Sequence, residues 1–600
     1  MKGIAIGLSN NSKEILKRLK KTEFVKDIYI AGSSKEDGKE NELIQVQKPR
    51  EILLKKWPKI DLIIFIGSIA ASIRIINPFL TSKDQDPGVI VIDNKCSKIV
   101  PLIGLHQSNT QNIAFQIANL LGGEIIETNN SNDQSLLNLD AFGNQWGWKR
   151  SGKINDWSKL VIKQAKNEEI FCKQLSGNSL WKTSESAEII NQIDKKETEK
   201  PDSTFHVSIF ENHGTTWHPP VLWIGIGCER NTSKELIANS LNNLLESGNL
   251  SQQSIAGFAT IDIKKDEKGI LELSEEKNLP IKFFSKKDLS TIIVPNPSNV
   301  VQKEIGTPSV AEASCLLAAG EESKLLEEKR IFKNQSGAVT IAVAESKNQY
   351  NPTHGEIHII GSGPGDISFL TNNARKALSR CTVWIGYKMY LDLIKPLKRN
   401  DQVLIESKLT EEKERCSKAI KLAEEGIKVA LISSGESGFY GMAGLLLELL
   451  QKIKKEYRPY FEVHPGISSV QLAAAISGAP LMNDFCSVSL SDKLTPWPLI
   501  EKRIKGALMG DFVIALFNPQ SIERNWQLKS VIDICLQSRH GDTPVLLARQ
   551  VGRENQTKKF FTLNTIPFKE IDMLSIIIIG NSQTTLVDEI FLTPRGYLQN

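Results

Sequence analysis

The chain has no Cys-x-x-Cys pair among its eight cysteines, which are scattered through 600 residues. That spacing excludes a disulfide framework and the common zinc-site patterns, and it fits a reducing cytoplasm. Strong charge imbalance is also missing: 74 basic against 69 acidic side chains leave a net +5, too little to argue for nucleic acid. No uninterrupted apolar run is long enough to span a membrane, since the most apolar stretch, Leu62 to Leu80, is broken by Arg74 and Pro78. The opening Met1-Lys-Gly-Ile-Ala-Ile-Gly-Leu8 reads as a first core strand and not as a signal peptide. A cytoplasmic protein with neither a membrane nor a nucleic-acid partner is expected.

What the chain does contain is a near-continuous alternation of strand-like apolar runs and helical patterns, which predicts a multidomain α/β protein. Its length allows roughly four domains of about 150 residues. Residues 1–130 read as a first α/β domain, with strands at Asp61–Gly67 and Gly88–Asp93 and a helix from about Asn109 to Leu121, closed by Gly122-Gly123. Residues 131–205 are a middle or linker region, rich in Trp and Lys with weak periodicity, and the run from Lys195 to Asp202 reads as a solvated loop. A further α/β domain is expected over 218–346, then two more over 356–480 and 481–595.

The most informative stretch is Ile357-His-Ile-Ile-Gly-Ser-Gly-Pro-Gly-Asp366, followed by Leu370-Thr371. It predicts a strand running into a glycine-rich loop and then a helix, where backbone can approach a ligand closely. A dinucleotide fingerprint needs a third glycine where Asp366 stands, and an acidic residue after the next strand, Cys381 to Gly386, that is not there. No Gly-Lys-Ser/Thr follows, so the Walker pattern fails as well.

Four more segments accompany this loop: Val429–Ala443 with Ser-Ser-Gly-Glu-Ser-Gly-Phe, Val463-His-Pro-Gly-Ile-Ser-Ser469, Phe485–Trp497 with Ser-Leu-Ser-Asp-Lys-Leu-Thr-Pro, and Ala515-Leu-Phe-Asn-Pro-Gln-Ser-Ile-Glu-Arg524. In this order, over 356–590, they resemble the tetrapyrrole methylase family, and the last two look like its precorrin-3B C(17)-methyltransferases. The resemblance implies S-adenosyl-L-methionine held in a trough between two α/β domains, lined by Gly361, Gly363, Pro364, Gly365, Gly435, Glu436, Phe439, Ser468, Ser469 and Asn518. It implies a corrin or tetrapyrrole intermediate as substrate, and a homodimer. Carbon-17 methylation would be joined to ring contraction, with Asp484, Ser489, Ser491 and Asp492 as candidates for assisting it.

Two positions depart from the family's usual pattern: Glu436 stands for Asp, and Asn483 for the His before Asp484. A corrin precursor carries many carboxylates, so Lys493 and Arg524, with Lys388, Arg549 and Arg553, are candidate anchors. A sulfonium methyl is already electrophilic, so alignment carries the reaction. No covalent nucleophile or metal is required, and no His/Cys cluster suggests a metal site. Whether the substrate arrives cobalt-loaded is left open.

Residues 1–345 resemble the cobalt-precorrin 5A hydrolase family. The resemblance rests on Gly67-Ser-Ile-Ala-Ala-Ser-Ile-Arg74, Lys83–Val89, Leu102-Ile-Gly-Leu-His106, Gly225-Ile-Gly-Cys228, Ala259–Lys264 and Gly306-Thr-Pro-Ser-Val-Ala-Glu-Ala313. The implied reaction opens a ring-fused lactone and releases a two-carbon aldehyde, with His106 as the candidate base. Lys264 and Glu312 read as ordinary structural residues. The family's usual Ser-Gly-His is here Gly104-Leu105-His106. The reading is a bifunctional corrin-ring enzyme; the alternative is an active methyltransferase beside a non-catalytic tetrapyrrole-binding or scaffolding half.

Overall fold

The computed structural model describes residues 2–22, 24–31, 44–46, 48–81, 85–104, 110–126, 136–194, 201–211, 214–335, 337–521 and 524–597. It divides into two compact units, one of Met1–Gln134 with Asn138–Ala141 and Lys153–Ala165, the other of the remaining chain. Among the described residues no helix is long and apolar enough to cross a membrane, and all eight cysteines are free thiols.

The first unit is built on a seven-stranded sheet in the order Ile44–Val46, Val25–Ile30, Gly3–Gly7, Leu62–Ile66, Gly88–Ile92, Lys98–Ile103, Glu124–Ile125. Its central strands are apolar at every position because both faces are covered. Each such Ile or Val, fully buried, contributes roughly 1.5–3 kcal/mol. The Leu62 to Leu80 stretch resolves into the strand Leu62–Ile66 and the helix Ile69–Ile76, whose N-cap Ser68 accepts from the Ala71 amide at 3.2 Å. The helix Thr110–Leu121 ends where Gly122 turns to φ +78°, its amide donating to the Ala118 carbonyl at 2.8 Å.

The second unit holds four sheets of functional interest. The weakly periodic Trp-rich region forms a five-stranded sheet in the order Ile190–Gln192, Ile170–Gln174, Thr204–Val207, Thr216–His218, Lys149–Ser151. Its core is aromatic: Phe142 packs against Trp148, Trp181, Phe205 and Trp217 with centroids 5.1–5.9 Å apart. A few large rings fill this interior without the regular aliphatic alternation that makes a strand legible. Of the segment expected to be a solvated loop, 195–200 lies outside the described residues.

The next sheet runs Ile281–Phe284, Ile255–Ile261, Leu222–Cys228, Gly337–Glu345, Lys324–Asn334, with the helix Ala311–Ala319 laid on it. The stretch between the domains expected over 218–346 and 356–480 is pinned. Buried Gln349 accepts from the Trp148 indole at 2.7 Å and donates to the carbonyls of Trp146 and Glu425 at 2.6 and 2.7 Å.

The last two sheets carry the glycine loops. One is wholly parallel, Val403–Ser407, Val383–Tyr387, Lys428–Ser433, Glu356–Gly361, Tyr460–His464. The other is mixed, Phe485–Ser489, Val513–Phe517, Ser575–Ile579, Pro544–Arg549, Thr557–Thr562, with only its first pair parallel.

Candidate active site

Three loops leave the carboxyl ends of adjacent parallel strands, the usual place for a ligand crevice in such a sheet. They touch through main chain. The amide of Gly363 donates to the Gly435 carbonyl at 3.1 Å, and that of Gly435 returns a bond to Gly363 at 2.8 Å. Both glycines have φ near +70°, at +76° and +63°. The third loop closes on them so tightly that a Cβ on Gly466 would lie 2.1 Å from the Gly435 carbonyl oxygen and 2.6 Å from that of Gly361. Thr371 caps the helix Asn372–Arg380 and also donates to the Pro465 carbonyl at 3.1 Å.

Pro364 and Gly365 face the other way, toward the mixed sheet. The Asp366 amide donates to the Gly552 carbonyl at 2.6 Å, Arg553 Nε donates to the Pro364 carbonyl at 3.3 Å, and a Cβ on Gly365 would strike Gly552. Arg553, a candidate substrate anchor, therefore supports the loop.

Between the second and third loops the packing at Gly435 is less tight than at Gly466. A Cβ on Gly435 would sit in ordinary contact with Ser468 Cα at 3.8 Å, the Ile467 carbonyl oxygen at 3.9 Å and the Ser469 amide nitrogen at 4.0 Å. Ser469–Ser477 is a helix, so the Ser469 amide beside Gly435 has no partner inside the helix. Ser468 is buried, its amide tied to Gln471 Oε1 at 2.8 Å. Glu436 folds back onto the Gly438 amide at 2.6 Å. Phe439 and Tyr440 project from the loop onto Phe517 of the mixed sheet, each with centroids 5.2 Å from it, and Tyr440 Oη donates to the Ser487 carbonyl at 3.0 Å. Apart from Pro364 and Gly365, which face the mixed sheet, the expected lining residues of the three loops thus stand together. Sequence reasoning passed over Gly466, Tyr440 and Phe517, although the Phe-Tyr pair after a Gly-Glu-Ser-Gly turn was a visible signal.

On the mixed sheet, Asn518 follows Phe517 at φ +50°, and its Nδ2 donates to Ser489 Oγ at 3.0 Å. Ser489 Oγ also accepts from the Ser491 amide at 3.3 Å. Arg524 is buried and donates to the Asn518 carbonyl at 3.1 Å, while its Nε is shielded from solvent and has no partner among the described residues. Burial lowers its pKa and the Asp492 carboxylate opposes that shift. Asp492 accepts from Gln527 Nε2 at 2.9 Å. Asn518, Ser489, Ser491, Asp492 and Arg524 therefore form one cluster, and Lys493 beside it is exposed.

Asp484 does not join them. It precedes the strand Phe485–Ser489, whose far end carries Ser489, and at about 3.3 Å per residue the two ends of that stretch are roughly 16 Å apart. Two further candidate anchors are already paired: Lys388 with Glu406 at 2.9 Å, and Arg549 with Asp572 at 2.6 Å.

Residues 356–567 match the family "Tetrapyrrole (Corrin/Porphyrin) Methylases". A probable cobalt-factor III C(17)-methyltransferase of Salmonella typhimurium is 44% identical over 241 residues, 40% of this chain and 99% of that protein. The chain belongs to the tetrapyrrole methylase family. A cobalt-factor III methyltransferase of Priestia megaterium is also 44% identical, over 245 residues, but the match spans 45% of that longer protein. Ahead of the methylase region, residues 51–132 match "Cobalamin synthesis G N-terminal" and 222–344 match "Cobalamin synthesis G C-terminus". A cobalt-precorrin-5A hydrolase of Priestia megaterium is 27% identical over 365 residues, 56% of this chain and 93% of that protein. The chain is a fusion of these two kinds of region.

In the cobalamin synthesis G region, His106 lies outside the described residues. Lys264 is buried and paired with buried Glu267 at 3.1 Å. Glu312 is fully buried. One oxygen accepts from Asn296 Nδ2 at 3.0 Å and the Lys329 amide at 3.1 Å; the other, Oε2, is shielded and has no partner among the described residues.

Proposed function

We propose that the methylase region transfers a methyl group from S-adenosyl-L-methionine to carbon 17 of precorrin-3B or cobalt-factor III, with contraction of the macrocycle, and that the preceding region opens the lactone of cobalt-precorrin 5A. The observation that carries the first part is the meeting of three glycine loops at the carboxyl ends of adjacent parallel strands, beside the helix start at Ser468–Ser469 and with Phe439 and Tyr440 reaching onto Phe517. It fits a zwitterionic ligand: helix-start amides suit a carboxylate, and aromatic faces suit a sulfonium. When bound, that ligand supplies the methyl group already activated for transfer.

The chain's own part is positional. Gly361, Gly363, Gly435 and Gly466 fix the loops; Pro364 and Gly365 tie them to the mixed sheet; Ser468, Ser469 and Glu436 would hold the polar groups of the donor. Asn518, Ser489, Ser491 and Asp492 line the opposite wall, and Arg524, with an unpaired Nε, and exposed Lys493 suit substrate carboxylates. Holding two reactants in register removes on the order of 7–11 kcal/mol of barrier in favourable cases. The test is transfer from methyl-labelled S-adenosyl-L-methionine by the full chain to cobalt-loaded and to metal-free precursors. Label in a ring-contracted product from either supports the proposal; label in neither ends it.

For the lactone step, the shielded Glu312 Oε2 favours activity over a purely scaffolding role, because a buried carboxylate oxygen without a donor is costly unless it serves a proton or a ligand. Aldehyde release is best assayed with the full chain, since Gln349 bonds the stretch after Glu345 to both the Trp-cored sheet and Glu425. Absence of aldehyde with methyl transfer intact would make this half a scaffold.

A further inference from the structure

The strands Glu356–Gly361 and Tyr460–His464 run parallel at the edge of the parallel sheet, with His358 opposite Glu462 and Ile360 opposite His464. Two histidines thereby meet inside the protein: His358 is fully buried, His464 nearly so, and Nδ1 of the first lies 2.9 Å from Nε2 of the second. Glu356 Oε2 lies 2.8 Å from His358 Nε2. The same carboxylate also receives Lys428 at 2.6 Å and Arg380 at 3.0 Å, so it is an anion and can only accept. A neutral His358 with this partner carries its proton on Nε2 and presents the Nδ1 lone pair toward His464. Glu462 Oε2 lies 3.9 Å from His358 Nδ1 and 3.8 Å from His464 Nε2, and the three atoms fall within 4.8 Å of one another.

We propose that His358, His464 and Glu462 bind a divalent transition-metal ion of the Zn²⁺ or Co²⁺ class. Two imidazoles and one carboxylate are a preferred donor set for such ions. Ligands at about 2.0–2.2 Å around one ion stand roughly 3–3.6 Å from each other. The His–His separation of 2.9 Å is already close to that range, and Glu462, whose side chain is 46% exposed, has the freedom to close its own gap. The Glu356–His358 bond is the carboxylate support that fixes tautomer and ring orientation in metal-binding histidines. Tyr460 Oη, 3.3 Å from Glu462 Oε2, steadies the third ligand. The two histidines lie 106 residues apart in sequence, so no motif spacing reveals the set.

The site is separate from the proposed methyl-transfer trough but mechanically joined to it. His464 is followed directly by Pro465 and Gly466, the segment that closes against Gly361 and Gly435. An ion here would clamp the edge strand to its neighbour and stiffen that segment.

The test uses the full chain, freed of corrinoid and stripped with a chelator, titrated with Zn²⁺ and, for its visible ligand-field bands, with Co²⁺. One equivalent is expected to bind, with imidazole-type Co²⁺ bands and a metal-dependent rise in Tm. E462Q, on a half-exposed side chain, is expected to weaken binding at least about tenfold and to reduce the Tm rise, and H464N to weaken it further. A chain that takes up no stoichiometric ion overturns the proposal and leaves a hydrogen-bonded histidine pair. Affinity and bands unchanged in E462Q also overturn it, and that readout stands if H464N fails to fold. Neither result bears on methyl transfer, which is measured separately.

Discussion

At the ends of the parallel sheet, three loops touch through glycine backbone, so closely at Gly466 that no side chain fits. At the ends of the mixed sheet, side chains make the contacts: Asn518 bonds Ser489, Arg524 reaches the Asn518 carbonyl, and Gln527 bonds Asp492. The first wall owes its shape to main chain and gives way when a single carbon is added at Gly361, Gly365 or Gly466. The second owes its shape to polar side chains and can be altered in chemistry while the strands beneath stay as they are. A trough with one wall of each kind can keep a constant donor site while the facing wall is adapted to a particular macrocycle.

G466A is the strongest way to break this comparison. Its Cβ would force apart the Gly361 and Gly435 carbonyls, and overpacking of that kind costs typically about 1–3 kcal/mol. Donor affinity, measured by calorimetry, should fall about 10–100-fold, and methyl transfer with it. If G466A bound the donor normally, the backbone wall would not be the donor site.

R524K probes the other wall. Lysine keeps the charge but loses the planar fork that reaches the Asn518 carbonyl and leaves Nε free. Loss of a charged hydrogen bond, roughly 1.5–3 kcal/mol, predicts about a 10–100-fold fall in kcat/KM for the macrocycle, with donor Kd nearly unchanged. An equal loss of donor affinity would erase the division between the walls.

D401N tests whether charge near the parallel sheet, but away from its loops, matters only for stability. Burial alone would raise the Asp401 carboxyl; Arg399 at 2.9 Å and Gln145 at 2.8 Å overcome it and hold it below its ordinary value. A depressed carboxyl contributes stability above its unfolded pKa, near 3.9, and loses it as pH falls through the lower folded value. Urea unfolding should show D401N less stable by about 1–3 kcal/mol at pH 7, with the difference shrinking below about pH 4 and methyl transfer at pH 7 unchanged.

Y440F is the mildest probe. It removes the hydroxyl bond to the Ser487 carbonyl across the two sheets but leaves the ring on Phe517. A loss of about 0.5–1.5 kcal/mol in stability is expected, with at most a small change in kcat.

Much of this was legible in the chain. Leu62–Ile66, Gly88–Ile92 and Ile255–Ile261 announce themselves because strands covered on both faces are largely continuous apolar runs. The loops announce themselves because close main-chain contact leaves only glycine. The Trp-cored sheet was not legible, since rings such as Phe142, Trp181 and Trp217 fill space without a regular period. Asp484 was grouped with Ser489 and Asp492 because adjacency in sequence says nothing about which end of a strand faces the crevice.

By itself, the sequence determined the α/β layering, the order of the loops and the two kinds of region that are joined. These are set by local chemistry: apolar runs, glycine turns and caps act over a few residues. Only the tertiary structure decided that Gly466 closes the first wall, that Gln349 ties down the stretch after Glu345, and that His358 meets His464 beside Glu462. Those outcomes depend on strand order and register, which are fixed by contacts between residues far apart in the chain.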